Sequence, residues 1–285
     1  MAEKTFDRSR CRMAAFDLDG TLVRDFALIP SGAVVKALND LKASGVYVVL
    51  SSGRDLSQVH PDMLKCFSYA VLTNGSCIMD VASGKLIWSE RFAWTVLYRT
   101  VKKLEKLGGY CFLMQNGVIR ARQEGEKLVA ATMGEKLSGE NIIGGYSGTG
   151  TRYTNVFEAT GPFAAPTYKM QVFFHSREDC SRAYEELKKD KKLQVLTMFG
   201  TTIEVTAAGV TKAAALDILC GKLGLEPGSY AAFGDSRNDL EMLEAAAFAV
   251  VMENGEQCVK DIADYIALPV TEDGAAKAIY ELYDI

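Results

Sequence analysis

The sequence has two histidines, His60 and His175, and no two of its seven cysteines are close enough to form a Cys-x-x-Cys pair. Sequence-local zinc and dithiol redox motifs are therefore absent. The scattered, odd-numbered cysteines (11, 66, 77, 111, 180, 220 and 258) read as reduced thiols of a cytoplasmic protein. There is no excess of positive charge: the net charge is −4 and the pI about 5.4. That argues against nucleic acid or an anionic membrane surface as the main partner, since both need a basic footprint. No apolar run is long enough to span a bilayer, and the polar start MAEKTFDRSRCR lacks the apolar centre of a signal peptide. What remains is a 285-residue chain, 48% hydrophobic and 24% charged, enough for a packed core in two domains.

Hydrophobic spacing gives the organisation. Met13–Phe16, the run VYVVL at 46–50 and Tyr69–Leu72 read as buried strands. Helices are expected from Ser31, with apolar residues at 34, 35, 38 and 41, and from about Asp55. This strand–helix–strand rhythm implies a parallel sheet with right-handed crossovers. Between about 83 and 208 the rhythm changes: strands outnumber helices, and 134–166 is rich in Gly, Thr, Ser and Pro. From Thr211 the α/β pattern resumes, with a helix to Leu223 and strands at YAAF (230–233), 248–252 and 264–268. The expected fold is α/β: a Rossmann-like core of residues 1–82 and 209–285, interrupted by an α+β domain over 83–208.

Ligands of parallel α/β sheets bind at the carboxyl ends of the strands. Asp17 and Asp19 follow the first strand; Ser51, Ser52, Gly53 and Arg54 the second; Thr73, Asn74 and Gly75 the third; Asp235, Ser236, Asn238 and Asp239 the YAAF strand. Each group alone reads more simply as a turn or a helix cap. Together, in order, each at a strand end, they describe a site. Clustered carboxylates repel one another, and a hard divalent cation such as Mg²⁺ relieves that repulsion. A carboxylate beside such a metal can attack phosphorus, and a second one can move the protons. The Ser52–Gly53 loop ahead of a helix offers backbone N–H groups to a phosphate.

The ordered segments FDLDGTL (16–22), SSGR (51–54), EVTAAGVTK (204–212) and GDSRND (234–239) resemble the four motifs of the haloacid dehalogenase superfamily, above all its Cof-type phosphatases with a large α+β cap. TNG at 73–75 and VMENG at 251–255 extend the resemblance over nearly the whole chain. It implies that Asp17 is the nucleophile and Asp19 the general acid/base. It implies Mg²⁺ held by the Asp17 carboxylate, the Asp19 carbonyl and the Asp235 carboxylate. Ser52, Gly53, Lys212 and Asn238 would bind the phosphoryl group, with Lys212 also neutralising charge on Asp17. Asp239 would orient the site, with Asn74, Arg54 and Asn254 as neighbours. Glu253 departs from the small-residue pattern of the VMENG segment and leaves the role of Asn254 open.

The implied activity is Mg²⁺-dependent hydrolysis of small phosphomonoesters, such as sugar phosphates, pyridoxal phosphate or flavin mononucleotide, by a cytoplasmic monomer or homodimer. Two alternatives share the scaffold: a phosphomutase, and a non-catalytic sugar-phosphate sensor. In the inserted domain, residues 145–155 and Tyr168, Lys169 and Gln171 are candidate contacts to the leaving group. Arg152 or Lys169 could meet a second anionic group; the plainer expectation for both is a solvated surface charge.

Overall fold

The computed structural model describes residues 5–24, 28–115, 117–122, 124–125, 151–198 and 200–285. Most of the polar segment 134–166, and residues 145–150 among the candidate contacts, lie outside them. In chain order the first five strands are β1 (Met13–Phe16), β2 (Tyr47–Ser51), β3 (Tyr69–Leu72), β4 (Cys77–Asp80) and β5 (Lys85–Ser89). Then come β6 (Tyr110–Gln115), β7 (Val118–Ala121), β8 (Thr151–Arg152), β9 (Lys169–Phe173), β10 (Leu193–Met198) and β11 (Thr202–Ala207). The last are β12 (Tyr230–Gly234), β13 (Phe248–Met252) and β14 (Tyr265–Ala267).

Two compact units result. The first comprises Met1–Gly53, Val59–Trp88 and Thr211–Ile285. Its eight-stranded sheet runs β14-β13-β12-β1-β2-β3-β4-β5, parallel from β14 through β3 and antiparallel from β3 to β4. β1 is wholly buried, because its MAAF sequence is flanked by paired strands and covered on both faces. Helix Gly32–Ala43 is capped by the Ser31 hydroxyl, which accepts from Val34 N–H, and buries Val34, Ala37, Leu38 and Leu41. The hairpin strands β4 and β5 belong to this sheet. In this unit the segment ahead of the second unit closes at Trp88, and the chain returns to it at Thr211.

The helix expected from Asp55 is absent. A 3-10 turn, Leu56–Gln58, and a four-residue helix, Pro61–Leu64, stand there instead. The Asp55 carboxylate accepts from both the N–H and the hydroxyl of Ser57, a local turn that competes with helix formation. Pro61 adds a restriction on the residue before it and starts the short helix at N1.

The second unit comprises Ser89–Val210 together with Arg54–Gln58. Its six-stranded sheet runs β10-β11-β9-β6-β7-β8, antiparallel except for the β7–β8 pair. Alternation sorts its faces. Cys111, Leu113, Met170, Val172, Ile203 and Val205 pack with helices Trp94–Lys106 and Arg177–Leu187. Phe112, Met114 and Phe173 form a smaller cluster with Ile119 and Ala121.

Lys169 is 2% exposed, against the expectation of a solvated charge, and forms a 2.5 Å ion pair with the equally buried Glu204. β9 and β11 are adjacent antiparallel strands, and that pairing brings the two charges together. Arg152, by contrast, is exposed.

Candidate active site

Register brings the motifs together. Phe16 of β1 lies between Phe233 of β12 and Leu50 of β2, and Asp17 N–H donates to the Phe233 carbonyl at 2.9 Å. One step beyond these strands stand Asp17, Asp235 and Ser52 on neighbouring sheet ends. Parallel strands in register make this convergence unavoidable once the pattern folds.

Lys212 opens helix Lys212–Lys222, whose N-cap Thr211 accepts from Ala214 N–H. Its ammonium, almost wholly buried, donates to Asp17 Oδ1 at 2.5 Å and to Asp239 Oδ1 at 2.7 Å. The other Asp239 oxygen, Oδ2, accepts from the N–H groups of Asp235 and Ser236. Gly234 leaves room for this: a Cβ there would come within 2.7 Å of Asp239 Cβ. Asn238 accepts a hydrogen bond from the Ser236 hydroxyl, which stiffens the same turn.

Thr21, which the sequence reading did not single out, donates its hydroxyl to Asp235 Oδ1 at 3.0 Å. Gly20, with φ +85°, lies so close to the Asp235 carboxylate that any side chain there would overlap it. The Gly and Thr of DGT thus position the fourth motif's acid; a hydroxyl beside two acids was the available signal. Asn254 has a defined role as a clamp: its Nδ2 donates to the Gly20 carbonyl and its Oδ1 accepts from Val270 N–H, both at 2.8 Å. Glu256 N–H donates to the Asp235 carbonyl at 2.7 Å, so the segment after β13 braces the same loop.

Among the described residues, Asp17, Asp235 and Asp239 each offer a carboxylate oxygen within 4.8 Å of the others. The Asp19 side chain is not in this group. Burial, and then the charges of Asp239 and Asp235, hold the Asp17 carboxyl well above the usual range, although Lys212 pulls the other way. Burial, followed by Asp239, likewise pushes Asp235 up to about 7, against the Thr21 hydrogen bond and Lys212. For Lys212, burial alone would favour the neutral amine, but Asp17 and Asp239 outweigh it and raise its pKa. If all three carboxylates ionise, the one ammonium leaves two negative charges uncompensated. An all-oxygen donor set with that deficit fits a hard divalent cation.

Ser52 is buried just past the end of β2; its N–H donates to the Val71 carbonyl and its own carbonyl accepts from Asn74 N–H. Gly53 follows it in the loop, with only the short 3-10 turn beyond, so a helix dipole adds little here. Arg54 groups with the second unit, where it donates to the Gln58 carbonyl. His60 caps helix Pro61–Leu64 and His175 contacts the Tyr110 hydroxyl, both structural uses.

A sequence profile of the haloacid dehalogenase-like hydrolases matches residues 14–279. The chain belongs to this family. Within it the similarity is to Cof-type phosphatases. The 5-amino-6-(5-phospho-D-ribitylamino)uracil phosphatase of Bacillus subtilis is 31% identical over 94% of both chains. A second phosphatase of that organism is 27% identical, covering 95% of this chain and 99% of its own. Among solved structures, a haloacid dehalogenase-like hydrolase from B. subtilis superposes with a TM-score of 0.82 at 26% identity, over 95% of this chain and 99% of that one. One from Bacteroides thetaiotaomicron gives 0.79 at 23% identity, over 95% and 99%. The second of these shows likeness of fold alone. The α/β core with an inserted α+β unit is the architecture of this family.

Proposed function

We propose that the protein is a Mg²⁺-dependent phosphatase that hydrolyses small phosphomonoesters through a phosphorylated Asp17. The observation that carries this reading is the buried Lys212 ammonium held between Asp17 and Asp239, with Asp235 tied alongside by Thr21. Phosphoryl transfer needs positioning and charge stabilisation more than covalent chemistry, and this group of residues supplies both.

Asp17 attacks phosphorus and the bond to the ester oxygen breaks. Asp19 delivers a proton to that leaving oxygen, then removes one from the water that attacks the phosphorylated Asp17. This second attack frees the Asp17 carboxylate and inorganic phosphate. Ser52, the Gly53 backbone and Asn238 orient the phosphoryl oxygens, and Lys212 offsets their charge. Asp17, Asp235 and the Asp19 carbonyl would hold the cation, with Asp239 beside them. When bound, Mg²⁺ neutralises the carboxylate cluster and polarises the phosphoryl group.

Substrate selection falls to the inserted unit. Sugar phosphates and cofactor phosphates such as pyridoxal phosphate or flavin mononucleotide are the first class to test. The phosphorylated ribitylamino-uracil in the name of the B. subtilis relative joins that panel. No nucleic-acid or membrane partner is proposed; the acidic balance supports this. Among the described residues no helix is long and apolar enough to cross a membrane. A cytoplasmic site is proposed on the odd number and scattered spacing of the seven cysteines in the sequence.

The deciding experiment measures phosphate release from this panel with and without Mg²⁺ in the wild type and Asp17→Asn. Metal-dependent release that the substitution lowers at least about a hundredfold is expected. Full activity after chelation, or an active Asp17→Asn, overturns the reading.

A further inference from the structure

We infer that the turn Thr73-Asn74-Gly75 is a positioning element that sets the phosphate-binding Ser52 and Lys212 at their working separation; the inference rests on the phosphatase reading above. The turn follows β3, which pairs with β2 in the register Ser51↔Val71. It therefore stands next to Ser52 at the end of the neighbouring strand.

Three left-handed residues occur in succession, with φ of 52° at Thr73, 59° at Asn74 and 102° at Gly75. Glycine and asparagine accept that region, whereas a β-branched threonine disfavours it. Thr73 and Ser51 are also fully buried, and neither hydroxyl has a hydrogen-bond partner among the described residues. A strained backbone and two unsatisfied buried hydroxyls are together unfavourable for stability. Such a feature persists where the surrounding structure requires that shape.

The turn is held from two directions. On one side Asn74 N–H donates to the Ser52 carbonyl at 3.2 Å. On the other, the Gly75 Cα abuts the first turn of the lysine's helix. A Cβ at Gly75 would overlap the Thr211 carbonyl and come to 3.2 Å from Lys212 N. The turn is thus a rigid spacer between the backbones carrying Ser52 and Lys212. Sub-ångström errors in such spacing are felt strongly in phosphoryl transfer.

The test compares Gly75→Ala, Thr73→Gly and Thr73→Asn with the wild type. The readouts are kcat, KM, thermal midpoint, and affinity for inorganic phosphate, measured by titration calorimetry with Mg²⁺ and as competitive inhibition. Gly75→Ala must push Thr211 aside and is expected to lower kcat and phosphate affinity about tenfold or more. Thr73→Gly relieves the strain but loosens the turn. It is expected to keep the thermal midpoint while weakening phosphate affinity and kcat by about fivefold. Thr73→Asn accepts the left-handed region while keeping a side chain in the turn, and is expected to hold both to within about twofold of wild type. If Gly75→Ala does not fold, the Thr73 pair decides. A Thr73→Gly protein that binds phosphate and turns over like the wild type overturns the inference while leaving the phosphatase reading intact. A wild type that neither binds phosphate nor releases it from any ester overturns both.

Discussion

The Lys212 ammonium lies 2.5 Å from Asp17 Oδ1, with both side chains shut away from solvent. Removing the cation would leave Asp17 and Asp239 facing each other without compensation. Lys212→Met is therefore expected to drive the Asp17 carboxyl further up and move the acid limb of the kcat/KM profile to higher pH. The rate should fall by about 10²–10³, the range seen when one preorganised electrostatic contact is lost. A pH–rate profile with an unmoved acid limb contradicts this.

The metal-free site should carry its own pH signature. Asp235 has its pKa raised from 3.8 to about 7 by burial and by Asp239. Between those values the folded chain holds a proton that the unfolded chain has released. Stability of the metal-free protein therefore falls as pH rises through this window and levels off above it. A divalent cation competes with that proton. The gain in thermal midpoint on adding Mg²⁺ is expected to be larger at about pH 8 than at about pH 5. Equal gains at the two pH values count against Asp235 as a ligand.

Thr21→Val removes one hydroxyl and preserves shape. The lost hydrogen bond to Asp235 should raise the Mg²⁺ concentration for half-activation by about 10–100-fold, as outer-shell substitutions do. Activity at saturating metal should largely recover. Metal titration of the two proteins is the check, and an unchanged midpoint assigns Thr21 to folding alone.

The Lys169–Glu204 pair in the second unit is a stability element. Glu204→Ala removes the carboxylate from beside a buried ammonium and should cost about 3–5 kcal/mol in denaturant unfolding. The double substitution Lys169→Met with Glu204→Leu should recover most of that loss. A single substitution costing less than about 1 kcal/mol would show that water reaches Lys169.

Much of the site is legible in the chain because the motifs are local. FDLDGTL and GDSRND each begin at the end of an apolar strand and carry the acids and the glycine that the turn requires. What was not legible depends on partners distant in sequence. Thr21 and Asp235 are 214 residues apart, and Asn254 and Gly20 are 234 apart. The helix expected from Asp55 failed for a local reason, the Asp55 side chain closing its own turn onto Ser57. Lys169 looked like a surface lysine because Glu204, on a neighbouring strand, is 35 residues away.

The sequence by itself determined the broad alternation of strands and helices and the residue types at each strand end. These follow from hydrophobic period and turn chemistry, which act over a few residues. Tertiary structure alone decided which carboxylates share one small volume, which hydroxyl holds Asp235 and which charge Lys169 meets. Those relations depend on strand order and register, and a raised pKa or a buried ion pair exists only after packing has removed the water.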